Sequence, residues 1–161
     1  MNQTIEYHRS VALANDGAMT FGSPHVCTEH LLLGLAAEGK GAAAKTLKSF
    51  GVGVKEISSE LKKLIGIEVA YENIPFSIRA GSIFERSHKI ALSMFDRHVG
   101  TKHMLIALID DAIENSNEPR IALIMKNLKV DLNSIREKAV MEKDREKLPS
   151  GGRFIVPQKE T

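Results

Sequence analysis

Residues 27–35 read CTEHLLLGL, and a closely similar stretch, GTKHMLIAL, follows at residues 100–108. The offset between their threonines, Thr28 and Thr101, is 101 − 28 = 73. A second pair of similar blocks, AAKTLKSFGV from position 43 and IALIMKNLKV from position 121, has an offset of 121 − 43 = 78. Two blocks that recur in the same order, with a short insertion between them in the second copy, indicate a tandem duplication of one helical unit.

The composition favours an all-α globular protein. Hydrophobic residues make up 43% of the chain, but aromatic residues only 5%, and there is no Trp. The core must therefore come from Leu, Ile, Val, Ala and Met, which suit close helix packing better than a sheet.

Charge and cysteine content exclude several classes of protein. Lys and Arg number 22 against 20 Asp and Glu, with no basic cluster among aromatic residues, so we do not expect a nucleic-acid partner. The single cysteine, Cys27, rules out an internal disulfide framework and is typical of a reducing compartment. No apolar run approaches the roughly 18 residues that span a bilayer, and residues 1–10 lack the apolar core of a signal peptide. The sequence therefore predicts a cytoplasmic protein with no membrane partner.

The spacing of apolar residues predicts four helices in each repeat. Thr28 is predicted to be the N-cap residue of the second helix, with Glu29 at its positive end. Gly51 and Gly53 are predicted to terminate the third helix, one of them in a left-handed C-cap. The inward face of the first repeat is predicted to contain four leucines: Leu32, Leu35, Leu47 and Leu61.

Changes in this pattern divide the chain into a domain at residues 1–147 and a flexible tail or linker at residues 148–161. The domain is predicted to consist of repeat one at about 4–66, a connector at 66–81 and repeat two at about 82–147. The expected helices cover residues 5–18, 28 onward, 43–50 and 54–65 in the first repeat, and 82–95, 101–113, 119–128 and 132 to about 147 in the second.

Residues 28–35 (TEHLLLGL) and 38–47 (EGKGAAAKTL) resemble the Gly-Thr-Glu-His-Ile/Leu-Leu-Leu-Gly-Leu signature of the double Clp-N repeat. This repeat forms the N-terminal domain of the Clp ATPases, and the chain is most similar to the ClpC type. The resemblance covers about residues 4–142, and in the second repeat Lys102 replaces the signature Glu and Ala107 replaces the Gly. With the helix pattern, it predicts two pseudo-symmetric four-helix repeats packed as one compact domain.

The same resemblance implies a non-catalytic docking domain, through which a Clp-type unfoldase or its protease complex receives adaptor or substrate proteins. The expected partners are adaptor proteins, substrate proteins, and Clp ATPase or protease subunits. We expect the isolated chain to be a monomer without a cofactor and not to be an enzyme. Two alternatives remain open, namely a free-standing structural accessory subunit of the Clp protease and a small metal- or cysteine-dependent enzyme.

One segment approximates the phosphate-binding motif Gly-x-x-x-x-Gly-Lys-Ser/Thr, with Gly39, Ala44, Lys45 and Thr46 at the motif positions. A full match would require Gly in place of Ala44. Such a loop follows a strand and wraps a phosphate with bare backbone N–H groups. Here a Leu-rich helix precedes it, and Ala44 belongs to the predicted buried face of the next helix. We therefore predict that the chain neither binds nor hydrolyses ATP.

His25, Cys27 and His30 are close enough in sequence to suggest a zinc site or a cysteine nucleophile, which is the basis of the enzyme alternative. His30 recurs as His103, whereas Cys27 recurs as Gly100. The duplicated feature is thus the histidine alone, which favours a packed or hydrogen-bonded His near each helix start. We predict no metal site and no catalytic residue.

Glu29 is the polar residue with the most specific expected role. One interpretation is a carboxylate stabilised by the positive end of a helix, by roughly 0.3–1 kcal/mol. The other follows from the resemblance, because in ClpC-type domains the signature glutamates help to hold the guanidinium of phosphoarginine, a degradation mark on substrate proteins. An ammonium at Lys102 would repel a guanidinium and cannot accept its hydrogen bonds, so at most one such site is expected. The candidate substrate- or adaptor-binding residues are Thr28, Glu29, Thr101 and Lys102.

Overall fold

The computed structural model describes residues 1–64, 73–115 and 120–149. These residues form helices joined by short connections, which confirms the all-α prediction, and within the described ranges each repeat contributes four helices. In chain order the helices are α1 Ile5–Thr20, α2 Thr28–Glu38, α3 Ala42–Ser49, α4 Val54–Leu64, α5 Ile78–Ser93, α6 Thr101–Glu114, α7 Arg120–Asn127 and α8 Leu132–Met141.

The helix positions confirm the duplication. Helices α5 and α6 begin at the first sequence offset from α1 and α2 (78 − 5 = 73 and 101 − 28 = 73). Helices α7 and α8 begin at the second offset from α3 and α4 (120 − 42 = 78 and 132 − 54 = 78). The insertion in the second repeat therefore lies between α6 and α7, as the two sequence offsets indicate.

The two repeats are joined by backbone hydrogen bonds. In each case the residue before the first helix of one repeat is bonded to a residue just before the second helix of the other. The Thr4 N–H donates to the Val99 carbonyl at 3.0 Å, and the Ser77 N–H donates to the Val26 carbonyl at 3.0 Å. The two pairings are related by the first sequence offset, with the roles of the repeats exchanged. Each repeat therefore completes the backbone pairing at the start of the other repeat's first helix.

Helices α2 and α6 form the centre of the core. Residues 31–35 of α2 and residues 103–109 of α6 are buried on every side, as expected for helices that are apolar all round. The predicted inward face of the first repeat is confirmed, because its four leucines are fully buried: Leu32, Leu35, Leu47 and Leu61.

The crossing of α1 and α2 depends on Gly34. A Cβ atom at this position would overlap the Ser10 carbonyl oxygen and lie 2.8 Å from the Ala14 backbone nitrogen. The two helices therefore approach more closely than any residue with a side chain would permit. The corresponding residue of the second repeat is Ala107, so this close backbone approach belongs to the first repeat.

Two helix starts differ from the sequence prediction. Helix α5 begins at Ile78 and not at residue 82, because the Ser77 side chain accepts the Ala80 N–H and caps the helix. Ile78 is 86% exposed, so the spacing of buried residues does not reveal this first turn. At α2 the N-cap residue is Cys27, and Thr28 is the first helical residue, so the predicted cap was wrong by one position.

Three helix ends differ from the prediction by two residues or more, and one of them is α5, which ends at Ser93 and not at residue 95. Helix α1 continues through the buried Gly17 to Thr20 and does not stop at residue 18. Helix α8 ends at Met141 and not near residue 147, because Glu142 has an extended backbone (φ −68°, ψ 136°). The charged residues after it do not prolong the helix, because their backbone instead binds the start of α1.

We call residues 142–148 the C-terminal strap. The Ile5 N–H donates to the Lys147 carbonyl at 2.8 Å, and the Lys147 N–H donates to the Glu6 carboxylate at 3.0 Å. These bonds hold the strap against the first turn of α1 and compete with helical hydrogen bonding. The predicted start of the connector at residue 66, the start of α7 at Pro119 and most of the predicted tail lie outside the described residues.

None of the helices in the described ranges has both the length and the apolar content that a bilayer span requires.

Candidate functional site

The starts of α2 and α6 share one capping arrangement. The Nδ1 atom of His30 accepts the Cys27 N–H at 2.9 Å, and the Nδ1 atom of His103 accepts the Gly100 N–H at 2.8 Å. Each histidine is the third residue of its helix and satisfies the backbone donor of the N-cap residue. This confirms the prediction of a hydrogen-bonded His near each helix start.

The two histidines differ at their other ring nitrogen. Because Nδ1 accepts a backbone N–H in both, the neutral rings carry their proton on Nε2. His103 Nε2 donates to Asp96 Oδ2 at 2.7 Å, whereas His30 Nε2 has no hydrogen-bond partner within the described part of the chain. Burial lowers the pKa of both rings, although the Glu29 and Asp96 carboxylates act in the opposite direction. Both histidines are therefore held neutral near pH 7.

Glu29 lies at the start of α2 and is already bound to a guanidinium. Its carboxylate is 2% exposed, and its Oε2 atom accepts a hydrogen bond from Arg120 Nη1 at 2.6 Å. The Arg120 side chain remains 54% exposed. Thr28, which precedes Glu29 and is the first residue of the same helix, is also buried. The arrangement is a buried carboxylate, stabilised by a helix N-terminus, that binds a half-exposed guanidinium.

Lys102 occupies the position of Glu29 in the second repeat, but it contacts different groups. Its Nζ atom donates to the Glu142 carbonyl at 3.0 Å and lies 3.4 Å from Asp96 Oδ2. The side chain is buried. Lys102 therefore holds the beginning of the C-terminal strap.

Thr101 contacts a carboxylate that the sequence analysis did not single out. The Thr101 N–H donates to Glu146 Oε1 at 2.7 Å, and the Thr101 hydroxyl donates to Glu146 Oε2. The same hydroxyl oxygen accepts the Ala43 N–H at 3.1 Å, which links α6 to α3. The sequence does not reveal the role of Glu146, because its segment reads as a continuation of α8 in which a charged side chain would face solvent.

The four candidate residues therefore separate into two clusters. Thr28 and Glu29 lie with Arg120 at the start of α7, and Thr101 and Lys102 lie with the C-terminal strap. No periodicity in the sequence indicates Arg120, since it is an exposed residue at a helix start.

The residues that lie together near Cys27 are not the three that the sequence suggested as a metal or nucleophile site, because Glu29 takes the place of His25. Possible ligand atoms of Cys27, Glu29 and His30 lie within 4.8 Å of one another, whereas His25 is exposed outside this group. Burial raises the pKa of the Cys27 thiol, and the Glu29 carboxylate raises it further, which disfavours the thiolate that a nucleophile or metal ligand requires. Glu29 is paired with Arg120, and His30 Nδ1 is occupied by a backbone N–H. The geometry supports a helix cap better than an enzyme centre.

The segment that approximates a phosphate loop is a helix–helix junction. Gly39 ends α2 in the left-handed region (φ 79°), Gly41 is the N-cap residue of α3, and Ala44 is buried in α3 as predicted. The Ala42 and Ala43 N–H groups are already bonded to the Glu146 carboxylate and the Thr101 hydroxyl. This geometry does not resemble a nucleotide-binding loop.

Comparison with known proteins agrees with this architecture. The Clp repeat (R) N-terminal domain family matches residues 2–118. The chaperone protein ClpB of Oceanobacillus iheyensis is 37% identical over 138 residues, and the negative regulator of genetic competence ClpC/MecB of Bacillus subtilis is 36% identical over 138 residues. Each match covers 85% of this chain but only 16% of the relative.

A solved structure shows the same fold. The N-terminal domain of the caseinolytic protease associated chaperone ClpD from Arabidopsis thaliana superposes with a TM-score of 0.68 at 20% identity, covering 86% of this chain and 92% of that domain. The family model matches more than half of this chain, and the solved structure shows that the fold is the same. The chain therefore belongs to the Clp repeat N-terminal domain family.

Proposed function

We propose that this chain is a non-catalytic docking domain, through which a Clp-type unfoldase or protease system receives adaptor and substrate proteins. The observation that carries the proposal is the Glu29–Arg120 pair, in which a buried carboxylate at a helix start binds a guanidinium at 2.6 Å. The same carboxylate can bind the guanidinium of a partner's arginine or phosphoarginine, if that group displaces Arg120.

The chemistry of the site suits phosphoarginine. A carboxylate forms short, charge-assisted bonds with a guanidinium. The start of a helix attracts an anion such as the phosphoryl group through its backbone N–H groups and its dipole. Arg120 is half exposed and therefore accessible to competition, whereas Glu29 is buried and stays in place.

The second repeat is not proposed as an equivalent site. Lys102 carries a positive charge where Glu29 carries a negative one, and its ammonium is directed to the Glu142 carbonyl. A guanidinium would find no acceptor on this side chain. We therefore propose one guanidinium site, in the first repeat.

Exposed apolar side chains support a protein partner. At the end of α5, Leu92 is 60% exposed, and Phe95, just beyond the helix, is 94% exposed. Phe95 has a positive φ of 59°, at the position where the first repeat has Gly22 with φ 63°. A bulky residue held outside its preferred backbone region and exposed to water is poorly explained by folding alone, and it suits a contact with an adaptor.

The proposal is tested by titrating phosphoarginine, arginine and inorganic phosphate into the labelled protein while backbone amide NMR shifts are recorded. Glu29→Gln should weaken phosphoarginine binding about tenfold or more, because the amide has no negative charge and only one acceptor oxygen for the guanidinium. Arg120→Ala should strengthen binding by removing the internal competitor. Arg97→Ala, which removes an exposed arginine from the α5–α6 connection, is the control and should change nothing.

Equal binding by wild type and Glu29→Gln would contradict the role of this carboxylate. Affinity capture with wild type and Phe95→Ser tests the docking of whole proteins. Recovery of adaptor or substrate proteins that depends on Phe95 supports a docking domain. Recovery of protease subunits alone would favour the accessory-subunit alternative.

A further inference from the structure

The Glu146 carboxylate is bound more completely than a surface side chain requires. Its Oε1 atom accepts from the Thr4 hydroxyl at 2.8 Å and from the Thr101 N–H at 2.7 Å. Its Oε2 atom accepts from the Ala42 N–H at 2.8 Å and from the Thr101 hydroxyl. Four donors from three helix starts thus converge on one carboxylate that belongs to the C-terminal strap.

Two glycines line the space around this carboxylate. A Cβ atom at Gly41 would lie 2.6 Å from Glu146 Oε2, and a Cβ atom at Gly100 would lie 2.6 Å from Glu146 Oε1. Both glycines have φ angles that any residue adopts, −74° and −109°. Glycine is therefore needed at these positions for space, which is filled by the Glu146 carboxylate and, at Gly41, also by the Thr101 hydroxyl and the Glu38 carboxylate.

We call Thr4, Gly41, Ala42, Gly100 and Thr101 the carboxylate cradle. Ala42 and Thr101 are the first residues of α3 and α6, so their N–H groups have no acceptor within their own helices. The positive ends of both helix dipoles point at the same place. The cradle thus has the donors and the volume for one carboxylate, and the helix ends offset the negative charge of Glu38, which binds the adjacent Gly41 N–H.

The strap that delivers Glu146 is an extended segment outside the helical core. It is held at two further points. Lys102 Nζ donates to the Glu142 carbonyl, and the Lys147 backbone is hydrogen-bonded to the first turn of α1. Lys143 and Arg145 are exposed between these points. The strap is thus held at three points. At two of them the domain binds strap backbone, and at the third it binds the acidic side chain of Glu146.

We propose that the carboxylate cradle is a binding site for an acidic side chain on an extended peptide, and that the strap is its resident ligand. A partner segment with an acidic residue in this register takes the place of Glu146 when the strap releases. The strap then lowers the apparent affinity for such a partner by the fraction of time that the cradle is already filled. This inference does not depend on the guanidinium site, because it concerns a carboxylate and a different set of helix starts.

The test uses the full chain and a fluorescent peptide of residues 141–149, MEKDREKLP. In Glu146→Gln the strap loses its charge and places an amide donor among the cradle donors, so the strap should release. The wild-type peptide should then bind Glu146→Gln at least tenfold more tightly than it binds the wild-type protein. The same peptide with Gln for Glu146 should not bind either protein. Glu137→Gln, which changes an exposed acidic residue of α8, is the matched control and should behave as wild type.

Amide NMR shifts of Ala42 and Thr101 report the state of the cradle directly. They should move in Glu146→Gln and return toward their wild-type positions when the peptide binds. Gly100→Ala, which retains Glu146 but fills the cradle with a Cβ atom, should shift the Ala42 amide, which is remote in sequence from the substitution. In that variant the peptide should not restore it. If Glu146→Gln does not fold, Gly100→Ala still tests whether the Glu146 carboxylate occupies the cradle, because an unchanged Ala42 amide would show that it does not.

Three outcomes would overturn the proposal. The Ala42 amide could keep its wild-type shift in both variants, so that the strap is not held by its carboxylate. The peptide could bind wild type and Glu146→Gln equally, so that it uses another surface. It could also fail to bind a variant whose amides show an emptied cradle, so that the cradle does not accept a peptide in trans.

Discussion

Replacing Gly34 with Ala tests the closest helix contact of the core. The added Cβ atom would overlap the Ser10 carbonyl oxygen, and it would lie 2.8 Å from the Ala14 nitrogen and 3.1 Å from the Ala14 Cβ atom. These are mainly backbone atoms, which cannot rotate away as the end of a side chain can. An ordinary contact begins at 3.4 Å, so the Ala14 nitrogen alone requires a movement of 3.4 − 2.8 = 0.6 Å, and the Ser10 carbonyl oxygen, which is closer, requires more.

The expected magnitude is the difference of two effects. Overpacking a core costs typically about 1–3 kcal/mol, and we take the upper value, about 3 kcal/mol, because the obstruction is backbone. Replacing a helical Gly by Ala favours folding by about 1 kcal/mol, since it reduces the conformational freedom of the unfolded chain. Gly34→Ala should therefore lower the free energy of unfolding by about 2 kcal/mol.

Urea unfolding followed by far-ultraviolet circular dichroism measures this change. Gly17→Ala is the matched control, because it is also a buried helical glycine, but its nearest neighbour is the Leu33 Cδ2 methyl at 2.9 Å, the mobile end of a side chain. That variant should be neutral or up to about 1 kcal/mol more stable. If Gly34→Ala were as stable as Gly17→Ala, the close approach of α1 and α2 would not limit the side chain at residue 34.

Two further predictions concern stability. Leu35 is fully buried, so Leu35→Ala should lower the free energy of unfolding by about 2–5 kcal/mol, and an unchanged urea midpoint would contradict the burial of that side chain. Burial lowers the pKa of His30 and His103 below 6.5 in the folded protein, so the unfolded chain binds protons first on acidification, and stability should fall as the pH drops below about 6.5. Urea midpoints across this interval check the sign, His30→Gln should show a smaller decrease, and a constant or rising midpoint would show that the histidines do not contribute.

Several features of the fold could be predicted from the sequence because they depend on local pattern. The two sequence offsets reappear as helix positions, and the continuous apolar stretches of the two signature blocks form the buried helices α2 and α6. Apolar residues are buried wherever the chain packs, so their spacing carries the information directly. The recurrence of His30 as His103 likewise indicates a local cap, because each histidine bonds a backbone group of its own helix start.

Helix ends were less predictable, because competing partners determine them. Helix α5 begins with the exposed Ile78, which no burial pattern marks. The charged segment after Met141 has the composition of a helix, but its backbone and the Glu146 carboxylate find partners on α1, α3 and α6. The bonds of the Lys147 backbone replace bonds that helix continuation would supply, and the bonds of the Glu146 carboxylate add to them. All of these partners are in place only after the two repeats have packed.

The sequence by itself determined that the chain is a duplicated, all-α domain and that Glu29 and Thr101 stand at helix starts. Tertiary structure alone decided what those residues contact. Glu29 binds Arg120 from 91 positions away, and Thr101 binds Glu146 from 45 positions away. Hydrophobic burial follows from composition and spacing along the chain, whereas an ion pair or a charge-assisted hydrogen bond requires two particular groups within about 3 Å. That distance is fixed only when the helices that carry the groups have packed.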